Sequence, residues 1–267
     1  MSGEGRFQMN IIARVNELMQ RAETFCLATV VASQNSEVPA GRKVIVCGDG
    51  SMQGDIGVVE ELNLSVREAA LASLDEKKSR TLEIQKGLRI FFNVLSPEAT
   101  LIVCGAGHIA VPLARYAREV GFRVTVLDDR DDFANIARFP GCSVMVEAFT
   151  PALANMTLGK SAYVIVITRG HEHDADCLLE VLKKETAYVG LIGSRRRVSF
   201  VLEMIERQGI APERIKDVFT PIGTPIGAES PAEIAFSIIA ELVCVRRKGP
   251  GQARALRAAI GMNINVA

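Results

Sequence analysis

Residues 101–110 read Leu-Ile-Val-Cys-Gly-Ala-Gly-His-Ile-Ala, an apolar strand-like run that passes into G-x-G-x-x-A and then into a helical stretch. Each part of that string restricts the chain. Gly105 permits the tight turn out of a strand, Gly107 lets the backbone come close to a phosphate, and Ala110 lets the following helix lie against the strand it left. The helix N-terminus that results, with His108 at the turn, offers unpaired N–H groups and the positive end of the dipole to an anion. The next apolar run, Val124 to Leu127, ends in Asp128, 23 residues after Gly105, close to where a carboxylate meets a ribose diol. Asp128 would repel a 2′-phosphate, whereas Arg130 keeps one possible.

The alternation continues beyond this unit. Runs rich in Val, Ile and Leu at 100–104, 123–127, 143–146, 163–168 and 188–192 are separated by helical stretches. Near-continuous apolar content is what strands covered on both faces require, so a parallel sheet with helices on each side is expected. A last helix is punctuated by Ser230 as cap, Pro231 at its first position, Glu233 to complete a capping box, and Arg246 to Gly249 as its close. Upstream the pattern differs. A helix is predicted over 10–22, short strands over 26–32 and 43–47, a helix capped by Ser65 with Glu68 and running to about Ser79, and a strand over 88–95, with Gly48, Gly50, Gly54 and Gly57 between. The polar segment Ser96-Pro97-Glu98-Ala99 marks a boundary. The fold class is therefore α/β: a Rossmann-type parallel-sheet domain over 97–267, preceded by a smaller α+β domain over 1–96. A chain of 267 residues can bury two such cores.

Charge narrows the function. With 31 basic residues against 31 acidic ones, the chain has no electrostatic reason to take nucleic acid or an anionic membrane as its main partner. No apolar run is long enough to cross a bilayer and the start lacks a signal-peptide core, so a cytoplasmic protein is expected. The six cysteines form no C-x-x-C pair and are read as buried reduced thiols.

In an open α/β sheet, loops after the strands converge on one crevice at their carboxyl ends. Two further loops here carry chemistry. Arg169, His171, His173 and Asp174 follow the fourth strand of this sheet, and Gly193, Ser194 and Arg195 follow the fifth. His171 and Asp174 are the candidates for proton transfer or substrate contact. Two imidazoles and a carboxylate are also able to hold a metal, although H-x-H alone is a weak zinc pattern and no metal site is assigned. Asp174 could instead serve as a helix cap. Ser194 caps a helix, and of the three arginines at 195–197, which cannot all face one way, one or two could grip a phosphate. The proline-stiffened loop over 220–230 could close over the crevice or act as a rigid connector.

GAGHIAVPLA, VLDDRDDFAN, TRGHEHD, YVGLIGSRRR and PIGTPIGAESPAEIAFSI occur in that order across 101–247, and in this the chain resembles the xanthine dehydrogenase accessory proteins of the XdhC/CoxI type. CLATVV, GRKVIV and GDIGVVEE resemble the smaller domain of that family more loosely. The resemblance implies a maturation factor that binds molybdenum cofactor (molybdopterin), assists its sulfuration and insertion into an apo molybdenum hydroxylase, and forms a homodimer. Two departures stand out: Asn35 to Pro39 lack the arginine usual in the family turn, and Ile56-Gly57-Val58-Val59-Glu60 replaces a triple glycine. The crevice would then hold molybdenum cofactor or NAD(P), the phosphate on Gly105 and Gly107, a hydroxyl on Asp128, and His171 at the reactive end. An NAD(P)-dependent oxidoreductase and a nucleotide-sensing regulator without chemistry are the alternatives. Against the oxidoreductase stands the lack of a base with an orienting partner, so an accessory protein rather than an enzyme is expected.

Overall fold

The structure is a computed structural model that describes residues 3–21, 23–56 and 60–264. Residue contacts divide the chain into two compact units, Met1–Pro97 and Glu98–Ala267.

The first unit holds α1 (Gly3–Gln20), β1 (Phe25–Ser33), β2 (Lys43–Cys47), β3 (Met52–Gly54), α2 (Glu60–Asp75), β4 (Arg80–Gln85) and β5 (Leu88–Leu95). Its sheet is antiparallel along the described pairs, in the order β3-β2-β1-β5-β4. Alternation along β1 decides which helix each face receives: Phe25 and Leu27 join Ile11 and Leu18 of α1, while Cys26, Ala28 and Val30 join Leu62, Val66 and Ala70 of α2. Ser65 does not open α2 as expected. The helix begins at Glu60, with Glu60 and Glu61 favourably placed in its first turn, and the Ser65 hydroxyl donates to the Glu61 carbonyl (3.1 Å). The helix also stops at Asp75, short of Ser79, and the segment after it forms β4, whose Leu82 and Ile84 face the core while Thr81, Glu83 and Gln85 are exposed. The first helix starts earlier than expected. Ala22 and the altered glycine turn at Gly57, Val58 and Val59 lie outside the described residues.

The second unit begins with β6 (Thr100–Cys104), α3 (Ala110–Glu119), β7 (Arg123–Asp128), β8 (Ser143–Val146) and α4 (Phe149–Asn155). It continues with β9 (Ala162–Val166), α5 (His171–Val181), β10 (Tyr188–Leu191), α6 (Arg195–Arg207), α7 (Pro212–Lys216) and α8 (Pro231–Ile264). The five strands form a parallel sheet in the order β10-β9-β6-β7-β8, so the order reverses between β6 and β9. Leu101 and Val103 of β6 pack with residues of α3 and α8 on one face, and Ile102 and Cys104 with α4, α5 and α6 on the other. This is the mixed α/β class with a Rossmann-type sheet. Phe219 extends the β10 edge in parallel, donating its N–H to the Val189 carbonyl (2.8 Å) and accepting from Leu191 (3.0 Å).

The capping box on α8 forms as expected: Glu233 N–H donates to Ser230 Oγ (3.3 Å) and Ser230 N–H to Glu233 Oε2 (2.9 Å). Gly249 does break the helix, at φ 83° and ψ 166°, but the chain turns helical again to Ile264. Pro250 suits the first position of that second piece, so the glycine is a joint between two helices rather than an end.

Candidate functional site

The strand order reverses between β6 and β9, and it is outside the carboxyl ends of strands at such a reversal that open α/β sheets place a ligand crevice. The turn after β6 is the glycine string. Gly105, at φ +110°, lies so close to the exit of β9 that an added Cβ would sit 2.5 Å from the Ile167 carbonyl oxygen. At Gly107 the same construction meets nothing within 4 Å. Gly105 is thus required by the fold, whereas no packed neighbour demands glycine at Gly107. Among the described residues no side chain caps α3; Ala110 N–H, at its first position, donates to the Gly107 carbonyl (3.2 Å), and His108 is exposed at that turn.

Asp128 ends β7, where a ribose diol would be read, but its carboxylate is engaged. Oδ2 accepts from Ala106 N–H of the glycine turn (2.8 Å) and from Arg130 Nη2 (2.9 Å), and Oδ1 accepts from Arg130 Nε (2.8 Å) and N–H (3.2 Å). Its side chain is 1% exposed. Burial alone would raise the Asp128 carboxyl, yet the Arg130 fork and the backbone N–H groups outweigh it and hold the group below its ordinary range. A carboxylate accepts about four hydrogen bonds, so the acceptor sites expected for the diol are already filled. The Arg130 guanidinium also lies over the Phe133 ring, 3.8 Å from its centre. Arg138 donates to the carbonyls of Ala106 (2.9 Å) and Phe133 (2.6 Å), fastening the same loop to the glycine turn.

On the β9 side, Arg169 forms a two-bond ion pair with Asp129, one contact being Nη2 to Oδ2 at 2.7 Å, and approaches Asp128 Oδ1 at 3.8 Å. The guanidinium beside it holds the Asp129 carboxyl well below the usual carboxylate range. Asp174 is fully buried. It accepts from Thr168 Oγ1 (2.6 Å) and from Arg197 Nε (2.7 Å), and Arg197 Nη2 donates to the Thr168 carbonyl (3.1 Å). Burial pushes the Asp174 carboxyl up despite these partners. Asp174 ties Thr168, in the turn after β9, to Arg197 at the start of α6.

The two histidines diverge. His171 is exposed at the start of α5 with its ring edge-on to Phe200 of α6 (5.2 Å between centres), while His173 lies against Phe149 of α4 (5.4 Å). Among the described residues no group of three His, Cys, Asp or Glu side chains is placed to hold a metal ion. Ser194 caps α6 as expected, accepting from Arg197 N–H (3.3 Å). Gly193 is half-buried at that turn, and Arg195 and Arg196 are exposed, so the arginine that faces inward is Arg197. The 220–230 loop is pinned to α8, with Gly223 N–H donating to Glu241 Oε1 (3.0 Å) and Thr224 N–H to the Ser237 carbonyl (3.1 Å). Its first half is a fixed connector. Arg138 and Asp129 were not singled out in the sequence, and Arg197 only as one of the three arginines at 195–197. The only signal for them was their place within the strings RDDFANIARF, LDDR and GSRRR.

Among the described residues no helix is long and apolar enough to cross a membrane. The XdhC Rossmann domain model matches residues 101–242, and the model of the XdhC and CoxI family matches residues 18–85. The chain is 29% identical over 261 residues to an uncharacterized protein, YqeB, of Escherichia coli (strain K12), covering 91% of this chain and 47% of that protein. It is 31% identical over 160 residues to a protein of Bacillus subtilis (strain 168) described as a probable subunit of xanthine dehydrogenase, covering 60% of this chain and 46% of that protein. The chain thus spans about half the length of these curated relatives. A crystal structure described as a xanthine dehydrogenase from Bacillus halodurans shares the fold, with a TM-score of 0.60 and 23% identity over 88% of this chain and 63% of that one. Since the Rossmann match covers more than half of the chain, with the second family match ahead of it, the protein belongs to the XdhC and CoxI family.

Proposed function

We propose that the protein is an accessory factor for a molybdenum hydroxylase of the xanthine dehydrogenase type, and that its Rossmann crevice takes a phosphate-bearing cofactor. The observation that carries this reading is the open side of Gly107 at the uncapped start of α3, in a chain of this family. The name of the Bacillus subtilis relative supports the class of partner. Molybdenum cofactor fits the crevice through its phosphate, which the α3 N-terminus and the Gly107 backbone would hold, with Arg169 in reach of the same opening. Bound there, the cofactor would supply molybdenum chemistry to the partner enzyme. This chain's own part would be to bind and orient: the glycine turn would hold the phosphate, and His171, exposed at the start of α5, would be the group to donate or accept a proton.

A nicotinamide nucleotide is the second reading, favoured by the position of Asp128 at the end of β7. It is weakened by the four hydrogen bonds that Asp128 already accepts. We further propose that the protein works as a homodimer on an apo-hydroxylase. The test is to purify the protein, release its bound small molecules and record their fluorescence, then add the protein to apo-hydroxylase with molybdenum cofactor. A pterin spectrum and faster activation are expected. A nicotinamide spectrum with no activation would favour the second reading and remove the first.

A further inference from the structure

We propose that Asp129 is a resident counter-ion, holding Arg169 in the position where a ligand phosphate would hold it, and that a phosphate-bearing ligand enters the crevice by taking that guanidinium over. This rests on the reading of the crevice given above and adds the step by which it fills. Arg169 stands in the turn after β9 and Asp129 directly after β7, and in the sheet β6 lies between those two strands. The ion pair therefore spans the end of β6, where the glycine turn begins. Distances agree with this placement: the same Arg169 Nη1 is 3.8 Å from Asp128 Oδ1, and the other oxygen of Asp128 accepts from Ala106 N–H at 2.8 Å.

The geometry of the pair is the one a phosphate would use. Arg169 offers two parallel N–H donors to two oxygens of Asp129, and a guanidinium fork binds phosphate in the same two-point manner. Exchange is easy at this pair and difficult at its neighbour. The Arg169 and Asp129 side chains keep 39% and 29% of their surface exposed, so their attraction is screened and the released carboxylate returns to water. Asp128 keeps only 1%, and removing Arg130 from it would strand a buried charge. Arg130 therefore stays, and Arg169 is the arginine free to change partner. The exposed Asp131 and Asp132 add negative charge nearby, but among the described contacts neither forms an ion pair with Arg169.

The experiment is calorimetric titration of wild type, Asp129→Asn, Arg169→Ala, the double variant and Asp132→Asn with inorganic pyrophosphate and with ADP, each variant checked for an unchanged melting temperature. Freeing the guanidinium from an exposed ion pair should tighten binding in Asp129→Asn by about two- to fivefold. Arg169→Ala should weaken binding, and the double variant should match Arg169→Ala, because without the arginine there is nothing to release. Asp132→Asn should bind as wild type does. Unchanged affinity in Asp129→Asn overturns the proposal while leaving the crevice reading intact. A gain that persists in the double variant, or appears equally in Asp132→Asn, overturns it in favour of a general charge effect. Failure of both probes to bind wild type and Asp129→Asn alike overturns the proposal and the crevice reading together.

Discussion

Gly105 and Gly107 stand two residues apart in one turn and should respond to the same substitution in opposite ways. At Gly105, alanine would take a side chain into φ +110°, and its Cβ would meet three backbone atoms: Ile167 O at 2.5 Å, Ile167 C at 2.8 Å and Thr168 Cα at 3.1 Å. These atoms cannot swing aside like a flexible side chain, because Ile167 N–H donates to the Cys104 carbonyl (2.9 Å) and so is fixed to the strand that carries Gly105. The unfavourable φ costs about 1–2 kcal/mol and forced displacement in a packed region about 1–3 kcal/mol, giving a destabilisation of about 2–5 kcal/mol. For a unit of this size that lowers the melting temperature by roughly 5–15 °C. Gly107→Ala meets open space and should stay within about 0.5 kcal/mol of wild type. Gly107→Val should also fold, yet lose affinity for ADP, because a branched side chain would fill the phosphate approach. Urea unfolding followed by circular dichroism, with titration of ADP on the folded variants, measures both effects. Gly105→Ala unfolding within about 0.5 kcal/mol of wild type would refute the reasoning that the backbone contact, rather than a ligand, demands glycine there.

Two predictions concern the carboxylates. Arg197→Ala leaves the fully buried Asp174 with Thr168 as its remaining side-chain partner, and should cost about 3–5 kcal/mol in urea unfolding; a loss under about 1 kcal/mol would show that water reaches Asp174. Asp128 titrates lower folded than unfolded, so its contribution to stability is complete above the ordinary carboxylate value of about 4 and is lost as pH falls through the depressed folded value. Asp128→Asn should therefore be less stable at pH 7 and show a shallower loss of stability as pH falls below about 4; parallel acid-unfolding curves would sink this assignment.

Elements with strong periodicity were legible in the sequence, and elements defined by their neighbours were not. β6 and β9 fall on the apolar runs expected of them, because a strand buried on both faces has nowhere to place a polar residue. β4 escaped notice because Arg80-Thr-Leu-Glu-Ile-Gln has only two apolar residues, and as an edge strand it is a strand chiefly because β5 pairs with it. The α2 start was misplaced for a related reason. Ser-x-x-Glu at 65–68 has the form of a capping box, but the serine hydroxyl found the carbonyl four residues back and so fits a helix already under way.

At the site, the sequence could name Asp128, Arg130, Arg169 and Asp174 but could not find their partners. Asp128, Asp129, Arg130, Arg169, Asp174 and Arg197 come from three separate strand-to-helix junctions, and the pairing that decides their roles joins residues 40 apart (Asp129 with Arg169) and 23 apart (Asp174 with Arg197). Local propensity carries no information at that range; only the strand order does, by placing the turns after β7 and β9 on either side of β6. Burial then separates the roles. The carboxylates shut away from water, Asp128 and Asp174, are bound to the fold through Arg130 and Arg197, because an unpaired charge there would be too costly. The ion pair left near the surface, between Asp129 and Arg169, is the one that a ligand can break at little cost to the fold.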